Sequence, residues 1–354
     1  MTSEKTSATA FNLPYNQSSH YWLAVFTPAE SDALRAALLA AGMKPLSWRM
    51  SMYMQRISGP WLAAWKSVYQ MLQAHDMQTA AEVALIPGDE EPGWEELNFA
   101  RKPAATLDAV AESLWLGQAM TDDRLVCYMQ PVLDKRGKVF GYESFARVEA
   151  EGGVIGGGKI IAASRSLNVE YVLDRHLHVK AITSFISSDL EGFLFINFVP
   201  GFIHRPEKYL EGLTDTAKFH GMPAKQLVLD FTHSELSRDP AHVKSIFDYC
   251  RSKGYSLSLD DISSVPLAKK ILDTIHPDFI KLDVKLVGEI GEATQQRIIG
   301  ELVTLAHGAG ATVLAEGVET QAIHDELLKA GVDLFQGYLF SPPVAVSALK
   351  RAAG

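Results

Sequence analysis

From Leu125 onward the chain alternates short apolar runs with helical segments, and this alternation limits the available folds more than any other feature. The runs are Leu125–Val132, Val139–Arg147, Phe193–Phe198, Leu227–Thr232, Ser256–Asp260, Phe279–Asp283, Thr312–Glu316 and Leu334–Phe340. Strand-sized apolar runs separated by helices read as βα units that build a parallel sheet. Eight such runs suit a (β/α)8 barrel, which takes roughly 250 residues. The first two are joined only by Leu133-Asp134-Lys135-Arg136-Gly137-Lys138. Parallel neighbours need a crossover of about a dozen residues or more, so this link makes a hairpin. The expected fold is α/β: a modified (β/α)8 TIM-like barrel with one antiparallel strand.

A different core chemistry precedes it. Trp22, Trp48, Trp61, Trp65, Trp94 and Trp115 are all the tryptophans of the chain, and Met43, Met50, Met52, Met54, Met71 and Met77 lie among them. The shift predicts a polar tail over 1–18, a small α/β regulatory or docking domain over 19–104, and the barrel domain over 105–354. His20–Phe26 reads as a strand. Thr27-Pro28-Ala29-Glu30 then supplies an N-cap, a proline at the first helical position and a capping-box acid. Leu34, Leu38 and Leu39 form the apolar stripe of that helix, and Gly42 ends it. A helix over about 59–74, a strand over Ala81–Ile86, an acidic connector over Gly88–Gly93 and a helix over 104–120 follow. The Trp- and Met-rich composition suits either an adaptable sensor surface or a small core filled by bulky side chains.

Composition narrows the function classes. A chain of 354 residues allows two domains, and 47% hydrophobic with 21% charged residues argues against extensive disorder. No stretch reaches the roughly 18 apolar residues of a membrane span, and Met-Thr-Ser-Glu-Lys-Thr-Ser lacks a signal-peptide apolar region. A soluble, cytoplasmic protein without membrane contact is expected. Cys127 and Cys250 alone make neither a disulfide framework nor a cysteine zinc site. A net charge of −9 opposes binding of a nucleic-acid polymer.

The strand ends carry the chemistry. They hold Glu143, Asn197, Asp230, Asp260 with Asp261, Lys281 with Asp283, Glu316 with Glu319, and Gln336. In a barrel the C-terminal strand ends converge on one face, where groups from distant strands meet. Oxygen donors without clustered Cys or His favour Mg²⁺ or Mn²⁺ over zinc. Asp260 and Asp261 cannot share one face of a strand, but can serve two ions if the chain turns there. Each acid has a plain alternative, that of capping the helix that follows. His176 and His178 lie two apart on a helix, on different faces, which argues against joint metal ligation.

These motifs resemble the EAL domain family, phosphodiesterases that open cyclic di-GMP with two Mg²⁺ or Mn²⁺ ions. Gln130-Pro131 resembles the family's opening Gln-Pro, and Glu143-Ser144-Phe145-Ala146-Arg147 keeps the acid and arginine of its naming motif. Phe195-Ile196-Asn197, Leu229-Asp230-Phe231-Thr232, Leu259-Asp260-Asp261, Ile280-Lys281-Leu282-Asp283, Ala315-Glu316-Gly317-Val318-Glu319-Thr320 and Gln336-Gly337-Tyr338 follow in the family's order. The resemblance implies that Glu143, Asn197, Asp230 and Asp260 hold one ion and Asp261 contributes to a second. It implies Lys281 beside the attacking water, Glu316 as proton acceptor or ligand, and Glu319 and Gln336 as bracing groups. Arg147 would pair with a substrate phosphate, with Gln130 and Gln336 also on the substrate side.

Three departures bear on activity. Asp230 stands where the family has Glu, withdrawing the carboxylate by roughly an ångström. Ile262-Ser263-Ser264-Val265-Pro266-Leu267-Ala268-Lys269 replaces a glycine-containing loop, and Val265 before Pro266 is restricted. His233 stands where the family's loop-bracing Glu would be. The expected function is metal-dependent hydrolysis of cyclic di-GMP to linear pGpG, slow or governed by the N-terminal domain. The alternative is an inactive cyclic di-GMP receptor, or an interaction module signalling to a protein partner. A protein partner of the N-terminal domain and a homodimer are further expectations. Gly153-Val154-Ile155-Gly156-Gly157-Gly158-Lys159 has phosphate-loop spacing but continues with Ile160 where Ser or Thr should ligate Mg²⁺, so it is expected to be a mobile surface loop.

Overall fold

The structure, a computed structural model, describes residues 20–27, 32–46, 51–58, 61–198, 203, 206–232 and 240–352. The expected tail, Pro28-Ala29-Glu30, Trp48, Met50 and His233 lie outside the described residues. The chain packs as two units, one reaching to Arg124 together with Gly158–Val169, the other comprising Leu125–Gly157 and the chain from Glu170 onward.

The first unit runs β1 (His20–Phe26), α1 (Asp32–Ala40), β2 (Lys44–Pro45), β3 (Met52–Ser58), α2 (Trp61–Ala74), β4 (Glu82–Pro87), α3 (Trp94–Ala100), β5 (Lys102–Pro103) and α4 (Ala104–Thr121). Its antiparallel sheet has the order β2-β3-β1-β4-β5, a split βαββαβ arrangement with one added strand. Ala24 and Phe26 pack on one face with Met52, Met54, Ala84 and Leu97, while Tyr21, Leu23 and Val25 are buried on the other. Because both faces are covered, Met52-Tyr53-Met54 is buried without alternation, and no period-2 signal marks β3 in the sequence. Trp61, Trp65 and Met43 are buried core residues, so packing accounts for these bulky side chains. Helix α4, beyond the boundary expected near residue 105, belongs to this unit.

From Leu125 the chain runs β6 (Leu125–Asp134), β7 (Val139–Ala150), β8 (Gly153–Gly156), α5 (Gly157–Leu167), α6 (Glu170–Ser187), β9 (Phe193–Asn197), α7 (Pro206–Phe219), β10 (Leu227–Thr232) and α8 (Pro240–Ser252). It continues through β11 (Ser256–Ile262), α9 (Val265–Leu272), β12 (Phe279–Leu282), α10 (Val284–Gly288), α11 (Ala293–Gly308), β13 (Thr312–Ala315), α12 (Gln321–Lys329), β14 (Leu334–Phe335) and β15 (Val344–Ala345). The strands β6-β7-β9-β10-β11-β12-β13-β14 close on themselves through β14–β6. β6 is antiparallel to both neighbours, and the remaining pairs are parallel. The expected modified barrel is the observed fold.

Two local readings are corrected. The segment expected to be a mobile loop is structured: Gly153–Gly156 pairs antiparallel with Arg147–Ala150, and a helix begins at Gly157. β7 is long enough to turn back through Glu151-Gly152, where Gly152 takes the left-handed φ of +86° that the tight turn requires. The last strand stops at Phe335, so Gln336 begins an irregular segment.

The barrel interior is plugged on one side by Val132, Phe195, Val228, Phe279, Leu314 and Leu334, with Phe140 and Phe193 packed against them. The rings interlock, Phe140 stacked on Phe193 at 4.6 Å and Phe279 edge-on to Phe195 at 5.2 Å. A strand points alternate residues the same way, so the residue two beyond each plug member also faces inward. Those residues are Asn197, Asp230, Lys281, Glu316 and Gln336. On the reversed strand β6, the residue two before Val132 is Gln130. The apolar plug thus sets the floor beneath the candidate site.

Asp333 ties the barrel seam. Its Oδ1 accepts from Lys135 Nζ at 2.8 Å, and its Oδ2 accepts from His307 Nε2 at 2.7 Å and from the Val313 N–H at 2.9 Å. Burial pushes this carboxyl up, but hydrogen bonds from Lys135, Val313 and His307 outweigh it and hold the group below the usual carboxylate range. A depressed folded value contributes stability above the unfolded value near 3.9, and that contribution is lost as pH falls through the folded value. Asp333→Asn is expected to cost about 1–2 kcal/mol in urea unfolding at pH 7, with the difference shrinking at pH values below the unfolded carboxylate value.

Candidate active site

Four carboxylates and one ammonium meet above the apolar floor. Lys281 Nζ lies 2.5 Å from Glu316 Oε1, 2.7 Å from Asp230 Oδ2, 3.2 Å from Glu143 Oε2 and 3.9 Å from Asp260 Oδ2. Lys281 is about 1% exposed, Asp230 2% and Glu143 3%, so bulk water contributes little screening. Lys281 comes from β12, whose register places it beside Leu314 of β13, and Asp230 of β10 lies beside Asn197 of β9.

A second chain of contacts enters from the antiparallel strand. Gln130 and Glu143 are cross-strand partners in the β6–β7 hairpin. Gln336 Nε2 donates to Gln130 Oε1 at 3.1 Å and to Glu143 Oε2 at 2.9 Å, while Gln130 Nε2 donates to the Ser341 carbonyl. Asn197 Nδ2 approaches Glu143 Oε1 at 3.4 Å. Gln336 thus contacts Glu143 directly and Gln130 contacts Gln336, and both glutamines are buried. Gly337 is required beside them: a Cβ there would lie 2.1 Å from the Val318 carbonyl oxygen, which packs the Gln336–Leu339 segment against the loop bearing Glu316.

The charge balance shapes the titration. Burial draws the Lys281 ammonium down, but Asp230, Glu143, Glu316 and Asp260 outweigh it and hold the group well above the ordinary lysine value. Burial raises Asp230 to about 7 despite Lys281, and Asp260 and Glu143 add repulsion. Burial likewise carries Glu316 well above its usual value, against the pull of Lys281. One ammonium cannot neutralise four clustered carboxylates.

The rim is more open. Asp260 and Asp261 are half-buried and Asn197 is exposed. The turn that two adjacent aspartates require is present: the β11–β12 register shifts between Leu259 and Ile262, and Asp261 adopts φ +61°. The Asp261 N–H donates to Asp260 Oδ1 at 2.7 Å. After Ile262, the glycine-free segment forms a helix start, with Ser264 extended at φ −153° and Pro266 in the first turn of α9. Val265, immediately before Pro266, is the first residue of that helix, and the extended backbone lies one residue earlier at Ser264. Arg147 shares the inward face of β7 with Glu143, four residues on. Its guanidinium is half-buried, donating to the Ala146 carbonyl at 2.8 Å near the Tyr128 and Phe145 rings.

Two strand-end acids stand apart. Asp283 caps α10, accepting from the N–H groups of Lys285 and Leu286, which is the helix-capping alternative realised. Glu319 is exposed on the loop after Glu316 and is not among the groups around Lys281. Sequence reading underweighted His178. It is buried, and its Nε2 reaches the backbone carbonyl of Asn197 at 2.9 Å.

No group of three or more His, Cys, Asp or Glu side chains among the described residues is placed to hold an ion as it stands. The ammonium of Lys281 occupies the centre that these oxygens share. The donor chemistry nevertheless fits a hard divalent cation. All donors are oxygens, negative charge is in surplus, and Asp230 Oδ1 and Gln336 Oε1 are buried without a hydrogen-bond partner among the described residues.

A family model for the EAL domain matches residues 114–343. The chain belongs to the EAL domain family. It is 28% identical over 260 residues to the probable cyclic di-GMP phosphodiesterase PdeI of Escherichia coli K12, covering 70% of this chain and 33% of that protein. It is 30% identical over 237 residues to the probable cyclic di-GMP phosphodiesterase PdeG of the same organism, covering 65% and 46% respectively. The chain therefore spans a third to a half of these relatives' length. Among solved structures, the standalone EAL protein of Vibrio cholerae O395 in its c-di-GMP-bound form shares 28% identity at a TM-score of 0.55 over 63% of this chain and 93% of that one. The EAL enzyme Bd1971 with cAMP and cyclic di-GMP bound shares the fold at a TM-score of 0.65 and 16% identity, over 95% of each chain. No helix among the described residues is long and apolar enough to cross a membrane.

Lys281→Met tests the charge reading. Removing one partner from a buried ionic cluster costs about 3–5 kcal/mol, so thermal melts are expected to drop by several degrees and to recover on adding Mn²⁺. A melt unchanged from the wild type would show that Lys281 does not hold these acids together.

Proposed function

We propose that the barrel domain hydrolyses cyclic di-GMP to linear pGpG with the aid of divalent cations. The observation that carries this reading is the convergence of Glu143, Asp230, Asp260 and Glu316 around Lys281 on one barrel face of an EAL family member. Glu143, Asn197, Asp230, Asp260 and Asp261 are the residues that would hold two Mg²⁺ or Mn²⁺ ions. Such ions supply charge that offsets the phosphate and makes water a stronger acid.

The side chains have separable tasks. Lys281 places a fixed positive charge beside the acids, where it stabilises an attacking hydroxide and developing phosphoryl charge. Glu316, whose burial favours a proton, is suited to accept one from the attacking water. Arg147, on the same face as Glu143, is suited to pair with a phosphate through a bidentate guanidinium contact. Gln336 and Gln130 keep the Glu143 carboxylate aimed into the site. The first unit, a separately packed α/β body, supports a regulatory or partner-docking role.

A receptor that binds cyclic di-GMP without turnover is the second reading, favoured by Asp230. Withdrawal by about an ångström can cost on the order of 100-fold in rate. The deciding measurement is incubation of the full chain with cyclic di-GMP and Mg²⁺ or Mn²⁺, with pGpG resolved by chromatography. Product formation abolished in Glu143→Gln supports the enzyme, whereas micromolar binding without product supports the receptor, and absence of both sinks each. Asp230→Glu is expected to raise kcat by about 10-fold or more. Arg147→Ala is expected to weaken nucleotide binding about 10- to 100-fold, read by calorimetry with and without metal.

A further inference from the structure

Outside the barrel wall, behind the strand that delivers Asn197, lies a buried polar group that the proposed chemistry does not use. His178 of α6 is 4% exposed. Its ring stacks on Phe198, centroids 5.7 Å apart with planes 4° off parallel, and its Nε2 lies 2.9 Å from the Asn197 carbonyl oxygen. The opposite nitrogen, Nδ1, is 3.3 Å from the Tyr209 hydroxyl of α7, and Tyr209 in turn donates to Asp174 on the same helix as His178. Asp174 is also 3.5 Å from His178 Nε2.

The topology explains why such a brace matters there. β9 ends at Asn197, and the last ladder contact nearby is the Phe198 N–H to the Asp230 carbonyl. The Asn197 carbonyl is a strand-end group and can only accept a hydrogen bond, so His178 Nε2 must carry the proton and donate. The same peptide carries the exposed amide that faces Glu143, so rotation about it would swing that amide away. Two outer helices thereby hold one inner peptide.

We propose that His178 is a positioning residue: its Nε2–H, on a ring held in place by stacking on Phe198 and by packing against Tyr209 and Asp174, locks the Asn197 peptide so that the Asn197 side chain stays directed at the Glu143 site. This rests on the phosphodiesterase reading for its functional consequence, and on the geometry alone for the lock. Groups that orient a ligating residue change metal affinity or activity by about 10- to 100-fold when removed.

Three variants of the full chain separate donor from filler. His178→Phe keeps an aromatic ring against Phe198 but has no donor, His178→Gln keeps an N–H that reaches the carbonyl, and His178→Ala removes both. In the absence of nucleotide, Mn²⁺ affinity by calorimetry is expected to fall about 10- to 100-fold in His178→Phe and to return to within about threefold of wild type in His178→Gln. Cyclic di-GMP turnover is expected to follow in kcat, with KM changed less than about twofold. The Asn197 side-chain amide resonances report the lock without metal or nucleotide, displaced or broadened in His178→Phe and wild-type-like in His178→Gln. Wild-type resonances and Mn²⁺ affinity in His178→Phe would overturn the proposal, leaving His178 a packing residue. A wild-type protein that neither binds Mn²⁺ nor forms pGpG, yet shows the displaced resonances in His178→Phe, would overturn the phosphodiesterase reading while upholding the lock.

Discussion

The buried Lys281 ammonium is the interaction on which the rest of the site depends. It is the one cation within 4 Å of Glu143, Asp230, Asp260 and Glu316 among the described residues. Four carboxylates drawn this close out of water repel one another strongly at low effective dielectric. The fold brings them together because each sits two residues beyond an apolar plug residue, or on the strand facing one, and the plug keeps the strand ends in register. The ammonium then makes the arrangement tolerable, at the cost of carboxyl groups whose burial moves them toward the protonated form.

That balance also explains the layered character of the site. The floor is dry and aromatic, the next layer contains Lys281, Asp230, Glu143 and Gln336 at a few per cent exposure, and the rim opens through Asp260, Asp261 and Asn197. An anion approaching from the rim meets surplus negative charge first. Cations are the physical means by which such a surface accepts an anion. The bulge at Asp261 and the glutamine pair behind Glu143 tune where the oxygens point, and both rely on backbone geometry special to their positions, a positive φ at Asp261 and a missing Cβ at Gly337.

The sequence made most of the barrel legible because its signals are local. Strand-sized apolar runs and the six-residue link after Val132 required a barrel with one reversed strand. It was less informative where a signal cancels. β3 is buried on both faces and so shows no alternation, and β8 is built from Gly153, Val154, Ile155 and Gly156, whose glycines read as loop. Motif order marked Glu143, Asp230, Lys281, Glu316 and Gln336, but it could not tell Glu316, which reaches Lys281, from Glu319, which is exposed three residues on. It also treated His178 with His176 as a metal question, when its partner is the backbone carbonyl of Asn197 at the end of the next strand.

By itself, then, the sequence determined the alternation of elements, the reversal at the first hairpin, and the residue types at each strand end, since these follow from periodicity and link length over a few residues. Only the tertiary structure decided which of those groups share one small volume and which serve elsewhere. Lys281 at the centre of Glu143, Asp230 and Glu316, and the Gln336 contact to Glu143, depend on distances between segments remote in sequence. Barrel closure and register set those distances, and no local pattern encodes them.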